Sequence, residues 1–246
     1  MDHLVYIAAS SANDAMLAQA VNANNLANAS TTGFRADLLS ASSAYMSGAQ
    51  LESRTYASAN NLGMDFKQGT VNATGRDLDV AINGDGWLTV VGADGTEALS
   101  RRGDLRVTSV GQLIDGIGNA IVGNAGPIAV PPFSEIAIGT DGTISIVPLG
   151  EDPNTLAVVD RIKLANPDPA TLFKGEDGLV RMPEGADPLP DALVTLVGGS
   201  LESSNVDTVG AMVHMIEIAR QFEQHTKMIS VAEQLDSASA QLMKMS

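Results

Sequence analysis

The chain has 246 residues, enough for one large or two small domains, of which 44% are hydrophobic, 17% charged and only 4% aromatic. That balance is globular rather than disordered, and a core of small side chains gains less per residue from burial. A net charge of −15 argues against a broad basic face for nucleic acid, and the absence of cysteine excludes disulfides, thiol catalysis and Cys-ligated metals.

The opening MDHLVYIAAS has neither a basic n-region nor a long apolar stretch, so no ordinary secretory signal is expected. Nowhere does an apolar run approach the roughly 20 residues of a membrane helix. Val5 to Val21 reads as helix: it is Ala-rich, and no Gly or Pro intervenes before Gly33. Asn22, Asn24, Asn25 and Asn28 crowd its last two turns, although the Asn amide competes for backbone hydrogen bonds and disfavours helix interiors. Residues 36–74, with Ser40, Ser42, Ser43, Ser47, Gly48, Ser53 and Ser58, read as an extended connector with little core of its own.

From Gly75 the texture changes to short alternating stretches such as DLDVAI, WLTVVG and LRVTSV. Asp85-Gly86, Asp94-Gly95, Asp141-Gly142 and Asp177-Gly178 suit tight hairpin turns that need positive φ, and GADGT (92–96) and GTDGT (139–143) look like two similar hairpin tips. Residues 75–203 are therefore expected to form an all-β domain, a small barrel or sandwich-like unit.

Helical patterning resumes at Ser204, which has capping-box spacing to Asp207. Met215, Ile218, Phe222, Ile229 and Ala232 fall at 4–3 spacing with His225 in the missing slot, and Met212, Ile216 and Ala219 form a second stripe beside the first. One stripe buries against one neighbour; two imply more than one. Such a helix would run about 40 residues, or about 60 Å. The expected fold is mixed α + β. N- and C-terminal helices (1–35 with 204–246) pair as a coiled-coil-like stalk, and the β domain is inserted between them.

Chemistry is sparse. His3, His214 and His225 lack metalloprotease spacing, and NGDGW and GIGNAIVGNAG match no nucleotide-binding loop. Asp77, Asp79 and Asp85 do not make a calcium loop, because Val80-Ala81 interrupts it. No catalytic residue, cofactor or metal is assigned. A carboxylate pair for glycoside hydrolysis stays open, since its spacing is a structural quantity. So does a carbohydrate-binding module using Trp87, although one Trp and three Tyr furnish a sugar cleft poorly.

NNLANASTTGFR (24–35) resembles the N-terminal signature of the flagellar rod and hook proteins, N-N-[LI]-A-N-x-x-T-x-G-[FY]-[KR], with Asn24, Asn25, Leu26, Ala27, Asn28, Thr31, Gly33, Phe34 and Arg35 matching. The stretch from Gly199 resembles the family's C-terminal entry through Gly199, Leu201, Glu202, Ser204, Asn205, Val206 and Asp207, then Met212, Met215, Ile216, Arg220, Phe222 and Glu223. LDVAINGDGWLTV and GQLIDGIGNAIVG resemble the β domain these proteins share. The opening residues and compact length are most similar to the proximal-rod branch. The distal-rod branch, which usually opens on a basic, Trp-containing stretch, is the alternative.

The resemblance implies structural work without catalysis or cofactor. It implies passage unfolded through the flagellar type III export apparatus without a cleaved signal, then polymerisation with itself and other rod proteins, proximal and distal, in the periplasmic rod of the basal body. No nucleic acid or membrane embedding is implied. A chain without thiols suits an oxidising space. The candidate assembly interface comprises Asn24, Asn25, Leu26, Ala27, Asn28, Gly33, Phe34, Met212, Met215, Ile216, Ile218, Phe222 and Ile229, with the Asn amides expected to satisfy polar groups between subunits.

Overall fold

A computed structural model describes residues 2–45, 55–152, 155–183 and 186–244, which fall into two compact units. One unit gathers the described residues of Met1–Asn28, Ala36–Gly63 and Val206–Ser246; the other comprises those of Ala29–Arg35 and Met64–Asn205.

In the first unit, helix α1 spans Asp2–Ala27 and helix α2 spans Thr208–Lys244. The Asn-rich stretch is therefore the last turn of α1 itself. There the Asn28 N–H is shared between the carbonyls of Asn24 and Asn25, both at 3.1 Å, which closes the helix. Helix α2 starts at Thr208 rather than Ser204, with Asp207 at the cap: its Oδ1 accepts from the Val209 N–H at 3.1 Å. At 37 residues it is about 55 Å long.

The helices pack against each other. Asn22, near the end of α1, donates from Nδ2 to the carbonyl of Ala211 in the first turn of α2, at 2.7 Å, so the pair runs antiparallel. Asp37–Tyr45 and Thr55–Met64 pair as a two-stranded sheet, and the first of these strands packs on α1. The described residues of 36–74, expected as a connector, thus divide: those of 36–63 cluster with the helices and 64–74 with the β unit. Ser47, Gly48 and Ser53 lie outside the described residues.

The second unit is built from antiparallel pairs. A nine-stranded sheet is organised around Trp87–Val91, which lies between Glu97–Ser100 and Ala120–Gly123. Phe133–Ile138, Thr143–Pro148 and Ala157–Arg161 form a three-stranded meander. Val80–Asn83 pairs with Thr195–Gly198, and Val71–Ala73 with Ser200–Glu202, so both ends of the unit are tied together. The main core is aliphatic, with Leu88, Val90, Leu105, Leu113, Ile121 and Ile144 fully buried.

The two hairpin tips share one mechanism. Asp94 Oδ1 accepts from the N–H and hydroxyl of Thr96, and the Asp141 carboxylate does the same for Thr143. The glycine after each Asp sits at φ 79° or 85°, where a side chain would be strained. GEDGL (175–179) closes in the same way, with the Gly175 N–H on the Leu179 carbonyl at 2.8 Å.

Candidate functional site

Two clusters contain the residues that the sequence singles out. In the helical unit, the buried positions of α1 are Ala8, Ala12, Ala15 and Asn22, at 4–3 spacing with one step skipped. On α2, Ile218 and Ala232 are buried, and Met215, Phe222, His225 and Ile229 on the same stripe are half-buried. Small residues on one helix thus face large ones on the other, which lets the backbones approach closely. Of the second stripe, Ala219 is half-buried, whereas Met212 is 55% and Ile216 64% exposed, and Val209 and Val213 beside them are exposed as well. On α1, Tyr6, Ile7 and Met16 are also solvent-facing. Isolated exposed apolar residues are ordinary; a line of them along a helix marks a surface that awaits a partner.

The asparagines work inside the chain. Asn25 makes two bonds to Asp37: its Nδ2 donates to the Asp37 carbonyl at 2.9 Å and its Oδ1 accepts from the Asp37 N–H at 2.8 Å. This clamps the strand that follows onto the helix end. Asn22 holds α2, and Asn28 donates from Nδ2 to the Asn24 carbonyl at 3.0 Å. Asn22 and Asn25 thus have partners within the chain, where the expectation concerned polar groups between subunits. Leu26 is half-buried, and Asn24 and Ala27 are exposed.

The second cluster, in the β unit, joins the two signatures. Gly33 donates its N–H to the Glu202 carbonyl at 2.8 Å, at φ 67°. A Cβ there would lie 2.4 Å from the Arg101 carbonyl carbon, so only glycine fits. Arg35 Nη1 pairs with Glu202 Oε1 at 2.6 Å, and Arg101 Nη1 pairs with Glu202 Oε2 at 3.0 Å. All three side chains are nearly inaccessible to solvent. Burial pulls the Arg101 pKa down, the Glu202 carboxylate pulls it up, and Arg35 pushes it down again. Glu202 Oε1 also accepts from the Gly69 N–H at 2.9 Å, which binds the start of the unit to its end.

Phe34 is half-buried, with Lys174 Nζ 3.9 Å from its ring centroid. Gly33 and Phe34, expected at a subunit interface, thus make intrachain contacts. Arg35 and Glu202 were visible only as members of two separate signatures, and Arg101 carried no signal. Neighbouring positions in the fold that are far apart in the chain leave no local spacing to read.

Trp87 is buried, packed edge-on against Phe66 at 6.5 Å, with the Arg101 guanidinium 5.3 Å from its ring centroid. It offers no sugar-stacking platform, which removes the observation that favoured a carbohydrate-binding module. Among the described residues no group of His, Asp and Glu is placed to hold a metal ion, and no helix is long and apolar enough to cross a membrane. Asp79, considered for calcium, is taken up by Thr74 Oγ1 at 2.7 Å and by Arg76.

Comparison with known proteins adds three family matches in the same order along the chain. "Flagella basal body rod protein" covers residues 5–35, "Flagellar hook protein FlgE/F/G D1 domain" 81–146, and "Flagellar basal body rod FlgEFG protein C-terminal" 197–242. The chain is 41% identical to the flagellar basal-body rod protein FlgF of Salmonella typhimurium and to that of Escherichia coli, in each case over 100% of both chains. It is 28% identical to the flagellar basal-body rod protein FlgG of Bacillus subtilis, over 86% of this chain and 88% of that one.

Proposed function

The chain belongs to the flagellar basal-body rod protein family, and on that premise we propose that it is the FlgF-type subunit of the proximal rod, polymerising with itself and with other rod proteins into the shaft that carries torque from motor to hook. It is a structural subunit of the flagellar basal-body rod. Full-length identity is higher to the FlgF relatives than to the FlgG relative, and this supports the proximal over the distal position.

The observation that carries the mechanism is the division of labour on α2. On its Met215–Ile218–Phe222 stripe Ile218 is buried within the subunit and its two neighbours are half-buried, whereas Met212 and Ile216 are left open. The covered stripe holds the helical unit together. The open one supplies lateral contacts to neighbouring subunits, each copy meeting the next through a different face, as an open helical polymer requires. The assembled interface therefore centres on Met212, Ile216 and the exposed side chains of α1, while Asn25, Gly33 and Phe34 shape the subunit. Export as an unfolded chain through the type III apparatus to a periplasmic rod is consistent with the lack of cysteine.

The test is localisation by an epitope tag at an exposed β-unit loop, followed through basal-body purification from a strain lacking the native copy. Co-purification with the rod and restored swimming are expected. A tagged chain that stays soluble while intact rods form without it would end this reading.

A further inference from the structure

The β unit is closed by its last residues. Thr195–Gly198 is the strand partner of Val80–Asn83, and Ser200–Glu202 is that of Val71–Ala73. Val80, Ala81 and Ile82 are fully buried, and Val194 and Leu196 belong to the main core. The Gly199 N–H donates to the Asp79 carbonyl at 2.7 Å and the Ser203 N–H to the Thr70 carbonyl at 2.9 Å. Asn205 Nδ2 donates to the Asp65 and Lys67 carbonyls at 2.9 and 3.0 Å. Among the described residues, Glu202 is the one carboxylate that pairs with the buried Arg35 and Arg101. The bond from Arg101 to Glu202 spans 101 residues of chain, that from the Gly69 N–H 133, and that from Asn205 to Asp65 140. The rest of the unit is local by comparison. Trp87–Val91 pairs with Glu97–Ser100, and the strands of the meander follow one another directly.

We propose that residues 195–205 are a folding latch: the β unit does not acquire its stable fold until they dock. Without them Val80–Asn83 lacks its strand partner, and Arg35 and Arg101 lack the carboxylate that pairs with both. Buried backbone without a partner and buried charge without a counter-charge are each costly. The loops that these contacts close are the longest in the unit, and their closure entropy is lost before the contacts repay it, so docking is the slow step. A chain is made from its N-terminus, and only residues 206–246 follow the latch. The β unit is therefore kept from folding until the chain is nearly complete, which is the state that export as an unfolded chain requires. This use of the latch rests on the export reading above; the latch itself does not.

The experiment uses the full chain, in solution and without any export step, so its outcome is separate from the fate of the export reading. Refolding and unfolding in denaturant are followed by the fluorescence of Trp87, the single tryptophan, which is buried in this unit with the Arg101 guanidinium 5.3 Å from its ring centroid. Glu202→Gln and Leu196→Ala are compared with the unaltered chain. Each should lower the folding equilibrium constant about tenfold or more, and more than half of that loss, on a logarithmic scale, should fall in a slower refolding rate. Where Glu202→Gln does not refold, Ser203→Ala, which loses the 2.8 Å bond from Oγ to the Thr70 carbonyl, reads the partition in its place. A loss well under tenfold from both Glu202→Gln and Leu196→Ala, or a loss carried mainly by faster unfolding, would show the rest of the unit folding ahead of its last strands and would overturn the proposal.

Discussion

Ile216 and Ile218 stand two residues apart on α2 and are expected to respond to the same substitution in opposite ways. Ile218 is 2% exposed in the helix pair, whereas Ile216 is 64% exposed. In the free subunit, Ile216→Asp removes little packing, and a surface change of this kind stays within about 0.5 kcal/mol, helix propensity included. In the rod, the exposed fraction of Ile216 is available for burial. Full burial of an Ile is worth roughly 1.5–3 kcal/mol, so about 1–2 kcal/mol of apolar contact is lost per copy. Seating an unpaired carboxylate in that contact adds at least about 1–3 kcal/mol. The sum, on the order of 3 kcal/mol, weakens each contact by about a hundredfold. Ile218→Asp instead removes a buried side chain from the helix pair, at about 2–5 kcal/mol, before its charge is counted. Circular dichroism melts of both purified variants, followed by recovery of basal bodies and swimming assays in a strain lacking the native copy, separate the two. Ile216→Asp should melt normally and fail to build rods, and Ile218→Asp should lose helix in the free subunit. Wild-type basal-body yield and swimming with Ile216→Asp would refute the assignment of the open stripe to assembly.

Phe222→Asp, on the covered stripe, should weaken the helical unit of the free subunit while leaving the β unit's melting transition unchanged, which two-phase calorimetry can resolve. Gly33→Ala should destabilise the β unit by at least about 1–3 kcal/mol, because its φ of 67° is strained for alanine and the Arg101 backbone occupies the Cβ position; denaturant titration measures this. A fragment of residues 29–205 should unfold cooperatively, whereas 75–202 should be markedly less stable, since it lacks Arg35 for Glu202 and Phe66 for Trp87; breaking a buried ion pair costs about 3–5 kcal/mol. Hydrogen bonds from Thr96 to Asp94 and from Thr143 to Asp141, and the Arg181 side chain on Asp177, hold these carboxyls below their ordinary value of 3.8. Lowered pKa values contribute stability that is fully present above 3.8 and is lost as pH falls through the folded-state values. Melting temperature should therefore drop below about pH 4, less steeply in Asp177→Asn; an acid limb identical in that variant would contradict the assignment.

What the sequence disclosed was local. The 4–3 stripe on α2 reads directly from Met215, Ile218, Phe222 and His225, because burial against one helix imposes that period. The Asp-Gly tips at 94–95 and 141–142 read equally well, since their mechanism is contained in five residues. The strands at Asp37–Tyr45 and Thr55–Met64 were hidden, since their many Ser, Ala and Asn residues carry weak β signal and they pair with each other as a two-stranded sheet. The intrachain partners of the helix-end amides were hidden for a related reason. An Asn side chain states that it needs partners without stating whose, and Asn25 finds them on Asp37 of its own chain. The Arg35–Glu202–Arg101 cluster is wholly tertiary, and its membership has no sequence period.

The central claim is that one face of α2 closes the subunit and the other joins it to its neighbours. A photo-crosslinking amino acid placed at position 216 or 218, one at a time, and activated in purified basal bodies reads this directly. The claim predicts a ladder of inter-subunit products from position 216 and only intrachain products from position 218. Intrachain products alone from 216, or an inter-subunit ladder from 218, would contradict it.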